Sequence, residues 1–108
     1  MSYIAKHRFA PISPTKVRAF ADLIRGKYAD DALNLLGCYP NRGARMLEKV
    51  LKSAIANAED RRESSIRNLL VKDARVDCGP FSKRWRPKSR GSSTVIIKRT
   101  SHLTIELD

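Results

Sequence analysis

The sequence predicts an α+β fold in a single domain, because helical and strand patterns occupy separate parts of the chain. Apolar residues recur at helical spacing from about residue 13 to residue 62, and they alternate with polar residues near both ends. Separate runs of helices and strands favour α+β over a repeating βαβ arrangement. With 108 residues, 42% of them hydrophobic, the chain is long enough to bury one modest core.

The first two predicted elements are a strand over residues 3–10 and a helix that starts at Ser13-Pro14. The strand pattern is short and alternates imperfectly. A Ser at the N-cap followed by a Pro at the first helical position is a strong helix start, and Gly26 supplies a left-handed stop. An apolar face follows at helical spacing: Val17, Phe20, Ala21 and Ile24.

Two further helices are predicted in the middle of the chain. A short one covers Asp30 to Leu36, and a long one begins at Asn41 or Arg42 and ends near Arg62. The long helix has a continuous apolar stripe, which favours packing of one face against a core. The stripe consists of Leu47, Val50, Leu51, Ala54, Ile55 and Ala58.

The last third of the chain predicts a β-hairpin whose strands cover Leu69 to Cys78 and Thr94 to Leu107. In the second strand, apolar residues at 103, 105 and 107 alternate with polar ones. The outer half of the hairpin, at about 80–96, has too little apolar surface to pack on its own chain. We expect it to project by about 25 Å. Because an isolated ribbon is marginal in water, we expect it to be mobile until something binds it.

Positive charge is concentrated at the two ends of the chain, whose net charge is +11. Residues 1–21 carry four Lys or Arg and no acid, and residues 22–77 carry eleven against nine acids. Residues 78–108 carry seven against Glu106 and Asp108. A uniformly basic surface serves solubility, whereas this segregation indicates a binding face for a polyanion.

The most basic stretch is Lys83–Gly91, which holds five cations around one Trp and one Pro. Each cation brought to a phosphate releases counterions, and Trp or guanidinium planes can stack on bases. Burial of Trp85 would drag Arg84 and Arg86 into the core at a large cost, so we expect Trp85 to be exposed. The alternative is a solvated basic loop, but the absence of acids between Cys78 and Ile105 favours nucleic acid.

Basic residues near the amino terminus predict a second phosphate-contacting face. They are Lys6, Arg8, Lys16, Arg18, Arg25 and Lys27. Ordinary solvated charge is the alternative for this group. It is the favoured interpretation for Lys49 and Lys52, which have Glu48 and Glu59 nearby.

Catalysis, metal binding and membrane insertion are disfavoured. His7 and His102 are the only histidines and lie in basic, strand-like surroundings, and the scattered glycines form no phosphate loop. Cys38 and Cys78 have no zinc-ligand spacing, so we expect reduced, partly buried thiols. The chain has neither a secretory h-region nor a run of about 18 apolar residues. We therefore expect no enzyme, no cofactor and no metal site.

RNA is favoured over DNA as the partner. A DNA reader commonly presents a compact recognition element and dimer symmetry, whereas a long basic extension suits irregularly folded RNA. A basic enzyme and a DNA-compacting protein remain as rival interpretations.

Four motifs, in this order and spacing, carry a family resemblance over most of the chain. They are Ile12–Arg18, Asp22–Lys27, Glu48–Glu59 and Lys98–Ile105. The chain resembles the family of large-subunit ribosomal protein number twenty-two, bacterial type.

The resemblance implies three helices packed on a three-stranded antiparallel sheet with a long projecting β-hairpin. It implies a structural constituent of the large subunit in the cytoplasmic ribosome, with no membrane or DNA partner. The expected partners are rRNA of several domains, neighbouring large-subunit proteins and the nascent peptide. The protein is expected to support early assembly, and the hairpin tip to line the exit tunnel.

The resemblance also implies which residues contact rRNA. At the tip these are Lys83, Arg84, Trp85, Arg86, Lys88 and Arg90. In the fourth motif we expect Lys98, Arg99 and His102 to contribute. The chain departs from the family at Thr15, where Arg is common, at Trp85, where Phe or Tyr is commoner, and at Ser92-Ser93, where another Arg is usual. These departures bear on the contacts of the tip.

Overall fold

The computed structural model describes residues 3–61 and 69–108, and within them it has an α+β arrangement, as predicted. The predicted helix end near Arg62 lies outside the described residues. The elements are β1 (Tyr3–Ala10), α1 (Pro14–Ile24), α2 (Ala29–Gly37), α3 (Arg42–Asp60), β2 (Val71–Cys78), β3 (Ser82–Pro87), β4 (Ser93–Lys98) and β5 (Ser101–Leu107).

Three of the strands form an antiparallel sheet in the order β1-β5-β2. α1 packs on β2, α3 packs on β1 and β5, and α2 packs against α3. In the central strand, β5, Ile105 pairs with Ala5 of β1 on one side and with Ala74 of β2 on the other. Leu103, Ile105 and Leu107 are fully buried, which confirms the predicted alternation. The helices, the sheet and its pairing confirm the fold class that the sequence predicts.

The core lies between this sheet and the three helices. The predicted apolar face of α1 is buried, and so is the predicted stripe of α3 except for the half-buried Ile55. Of the two predicted signals for the ends of α1, the stop at Gly26 has the expected geometry and the N-cap at Ser13 does not make the expected hydrogen bond. Gly26 has a φ of 84°, as a left-handed helix stop requires. Ser13 occupies the N-cap of α1, but its hydroxyl bonds Thr15 Oγ1 at 2.9 Å instead of a backbone N–H.

The predicted strand from Thr94 to Leu107 is two strands, β4 and β5, with a break at Arg99 and Thr100. The reason is a mismatch in length: residues 79–81 of the outgoing strand stand opposite only these two residues. An extra residue of this kind bends a strand and ends regular pairing. Pro80 contributes to the break because it has no N–H for the ladder.

Two hydrogen bonds fasten this junction. Gly79 N donates to Thr100 O at 2.9 Å, and Thr100 Oγ1 donates to Pro80 O at 2.5 Å. A Cβ on Gly79 would collide with Thr100 Oγ1, so the close approach requires glycine. The β3–β4 hairpin therefore leaves the three-stranded sheet at a junction that is held by hydrogen bonds.

Beyond the junction, β3 and β4 form a separate two-stranded ribbon, called the arm here and defined as residues 82–98. The rest of the described chain is called the body. The molecule measures 64 × 24 × 17 Å and has a radius of gyration of 16.8 Å. A compact chain of this length would have about 13 Å. The arm accounts for the difference, and every arm residue except Ile96 is exposed.

The two cysteines are free, but both are exposed, so the prediction of partly buried thiols is wrong. Cys38 follows the last residue of α2, and Cys78 ends the edge strand β2 next to the junction. Neither position is covered by the core.

Gly43, in the first turn of α3, is expected to be required for close packing against α1. A Cβ at this position would lie 2.8 Å from Lys16 O and 3.4 Å from Phe20 Cδ2. We expect Gly43→Ala to destabilise the protein by about 1–3 kcal/mol, because backbone must move to admit the methyl group. Urea unfolding measures the change.

Gly37→Ala is the matched control, since a Cβ on this helical glycine meets nothing within 4 Å. We expect it to be neutral or slightly stabilising. Equal stabilities for the two variants would contradict the close approach of α1 and α3.

Candidate nucleic-acid interface

The cross-strand register gives the arm two chemically different faces. Directly paired residues share a face, and successive residues in a strand alternate. One face carries Lys83, Trp85, Pro87, Ser93, Val95 and Ile97. The other carries Ser82, Arg84, Arg86, Thr94, Ile96 and Lys98. The first is mainly aromatic and aliphatic, and the second is mainly cationic.

Trp85 dominates the first face. It is 69% exposed and is paired across the ribbon with Val95, which is 39% exposed. The exposure agrees with the expectation that its arginine neighbours keep Trp85 out of the core. An exposed indole of this kind presents a ring face on which a base can stack.

The second face and the tip present the cations. Arg84 and Arg86 lie on one side of β3, and Arg84 Nη1 donates only to the neighbouring carbonyl of Lys83, at 3.1 Å. The tip is closed by Lys88 N donating to Ser92 O at 2.6 Å. Arg90 has a φ of 62°, so the turn is tight. Within the described residues, no ion pair joins an arm cation to a carboxylate.

Arg18 and Arg25 of the predicted second face make contacts inside the body. Arg25 pairs with Asp22 at 2.8 Å and donates to Ala74 O at 2.5 Å. Arg18 donates through Nε and Nη2 to Val76 O, both at 3.4 Å. These bonds fasten α1 to the edge strand β2, so both guanidinium groups have a structural role.

Lys6, Arg8 and His102 meet on the sheet face that the helices leave open. They line a cleft of about 310 Å³ together with Phe9, Asp77 and Thr104. Lys27 lies apart from them, exposed in the turn after α1.

Phe9 is a member of this cleft that the sequence analysis missed. It has a φ of 58°, within a bulge between His7 and Ala10, and it is 60% exposed. Its N–H donates to His102 Nδ1 at 3.1 Å, and the two rings meet edge to face at 5.0 Å. A left-handed phenylalanine in a strand leaves no trace in the residue pattern, because the bulge depends on pairing with β5.

The remaining predicted cations, Lys16, Lys98 and Arg99, converge at the base of the arm. They line a cleft of about 360 Å³, to which Arg42 also contributes. Arg42 is not among the cations predicted from the sequence. It stands at the start of α3 without a nearby acid, but only the tertiary fold brings it to the other three.

The described residues offer neither a metal site nor a membrane span. No group of three or more His, Cys, Asp or Glu within residues 3–61 and 69–108 could hold a metal ion. No helix in those ranges is long and apolar enough to cross a bilayer.

Comparison with known proteins identifies the family. The family model described as Ribosomal protein L22p/L17e matches residues 5–108. A relative from Rhodopirellula baltica, named large ribosomal subunit protein uL22, is 50% identical, covering 95% of this chain and 91% of its own. Relatives of the same name from Syntrophobacter fumaroxidans and Caldicellulosiruptor saccharolyticus are 45% and 49% identical. The former covers 99% of this chain and 97% of its own, and the latter 93% and 82%. The chain therefore belongs to the ribosomal protein L22p/L17e family, and it is a structural protein of the large ribosomal subunit, not an enzyme.

Proposed function

We propose that this protein binds large-subunit rRNA through its arm, supports early subunit assembly, and lines the nascent-peptide exit tunnel with the arm tip. The observation that carries the proposal is the arm itself. It is a ribbon with six cations and no acid, and it is almost entirely exposed. Such a segment contributes nothing to the core of its own chain.

Electrostatics supplies the affinity in this proposal. Each arm cation that meets a phosphate releases condensed counterions, so binding strength falls as salt concentration rises. The arm has no internal carboxylate to compete for its guanidinium and ammonium groups. Its cations are therefore available to rRNA phosphates without the cost of breaking ion pairs.

The two faces of the arm suit insertion between RNA segments. The face with Arg84 and Arg86 meets a phosphate backbone, and the face with Trp85 stacks on a base of another segment. An arm that contacts RNA on both faces crosslinks segments that are distant in the RNA sequence. This arrangement supports a scaffolding role, with rRNA of several domains as the partner.

The shape of the molecule supports an order in which the body folds first and the arm becomes ordered later, when it docks on rRNA. The body has its own core, so it folds before docking, whereas the ribbon gains partners for its side chains only when RNA surrounds it. Along a molecule 64 Å in length, the tip is the part that reaches deepest from a body held at the subunit surface. There the arm tip would face the nascent peptide, and the body would contact neighbouring subunit proteins.

The triple variant Arg84→Ala, Trp85→Ala, Arg86→Ala tests the arm as an RNA-binding element. We expect weaker rRNA binding and a deficit of mature large subunits on sucrose gradients. The melting temperature of the free protein should be unchanged, because these side chains lie outside the core. A double variant of two exposed α3 cations, Arg45→Ala and Lys49→Ala, is the control and should leave assembly intact. A loss of melting temperature in the triple variant would show that the arm packs on the body.

Proteolysis tests whether the arm depends on RNA for its order. We expect trypsin to cleave the isolated protein first within residues 83–90 and to spare these sites in the assembled subunit. The physical reason is that an isolated ribbon opens readily, while a docked one is paired and covered. Equal protection in both states would contradict this expectation.

A further inference from the structure

The cleft at the base of the arm, called the base cleft here, joins the arm to the body. Lys98 and Arg99 line it from the arm and the junction, and Lys16 and Arg42 line it from α1 and α3. No acidic residue lines it. The four cations come from three distant parts of the sequence.

The absence of acids distinguishes the base cleft from two clefts elsewhere on the body that contain cations. Asp22 and Asp77 line the cleft that contains Arg18 and Arg25, and Asp77 also lines the cleft on the open sheet face. In the part of the chain that the structure describes, none of the four base-cleft cations forms an ion pair or a side-chain hydrogen bond. Their mutual repulsion is therefore not offset by a direct ion pair with any described carboxylate.

The body side of the base cleft is held by hydrogen bonds and close packing. Ser101 Oγ, fully buried, donates to Ile12 O at 2.6 Å, and Ile12 N donates to Ala10 O at 2.8 Å. Gly43 allows the start of α3 to lie against the backbone of Lys16. Lys16 and Arg42 are thus anchored on fixed backbone, whereas Lys98 and Arg99 belong to the segment where the arm departs.

We propose that the base cleft binds one phosphodiester group of RNA and that this phosphate fixes the arm on the body. The anion would lie between Lys16 and Arg42 on the body side and Lys98 and Arg99 on the arm side. All four cations would then be attracted to the phosphate, which would offset the repulsion between them. Arg42 and Arg99 offer planar donor forks, which match phosphate oxygens. A volume of about 360 Å³ gives room for a phosphate with part of the adjoining sugars. The inference rests on the proposed function for the source of the phosphate.

The geometry of the chain provides a reporter for the test. Trp85 is the only Trp in the sequence and lies in the arm, so its fluorescence anisotropy follows arm motion without a label. Inorganic phosphate is titrated into the full-length protein at constant ionic strength, with chloride as the replaced anion. We expect the anisotropy to rise for the unmodified protein.

Matched variants distinguish phosphate binding in the base cleft from a general effect of the protein's positive charge. Lys16→Gln with Arg42→Gln should abolish the rise, and so should Lys98→Gln with Arg99→Gln on the opposite side of the cleft. Arg45→Gln with Lys49→Gln removes the same charge from α3 outside the cleft and should keep the rise. A response shared by all variants, or no response in the unmodified protein, would overturn the base-cleft site.

Binding to a large-subunit rRNA fragment identifies the source of the phosphate. We expect each cleft variant to reduce the magnitude of the slope of log affinity against log salt by about 1, the value for one lost phosphate contact, with no such reduction in the control. A cleft variant that matches the control in rRNA binding would overturn the RNA assignment, even if inorganic phosphate binds. No rRNA binding by the unmodified protein would instead overturn the proposed function, so the two failures are distinguishable.

Discussion

The arm has no core of its own, and its position depends on the continuation of β2 and β5 through one fastened junction. β5 is paired along both edges, and its apolar residues are buried beneath the helices, so its direction is set by the whole body. At the junction, Gly79 and Thr100 preserve backbone pairing while residues 79–81 oppose only two partners. The packing of β5 in the body therefore sets the direction in which the arm leaves the sheet, since the arm itself has almost no buried side chains.

The distribution of charge follows the same division. In the body, acids hold cations in place, as in the pairs Arg75–Asp73 at 2.9 Å and Lys52–Glu48 at 3.2 Å. Such exposed pairs contribute little to stability. The described residues of the body carry fourteen Lys or Arg against ten acids, whereas the arm carries six against none. The arm and the base cleft lack acids, so their cations remain available to an external anion. The body thus packs on its own core, whereas the arm presents cations that have no acidic partner within the arm.

Much of this organisation could be predicted from the sequence, because it depends on local pattern. The helical spacing of Val17, Ile24 and Leu47 predicted buried faces, and the alternation in β5 predicted its core side. The exposure of Trp85 followed from the cost of burying its arginine neighbours. Each of these inferences needs only residues that are close in the chain.

The features that escaped prediction depend on contacts between distant residues. The break at Thr100 depends on the length of the opposite strand, and the left-handed Phe9 depends on pairing with His102. The internal bonds of Arg25 and the convergence of Arg42 on the base cleft require the packed helices. The sequence pattern identifies the basic residues, but only the fold shows which of them form hydrogen bonds or ion pairs within the protein.

Ultraviolet crosslinking in cells, with sequencing of the attached RNA and mapping of the crosslinked peptide, tests the central claim most directly. The account predicts crosslinks from residues 83–90, with Trp85 prominent, to large-subunit rRNA near the exit tunnel. Crosslinks scattered over messenger RNA, or found mainly on DNA, would contradict the assignment of the arm to rRNA.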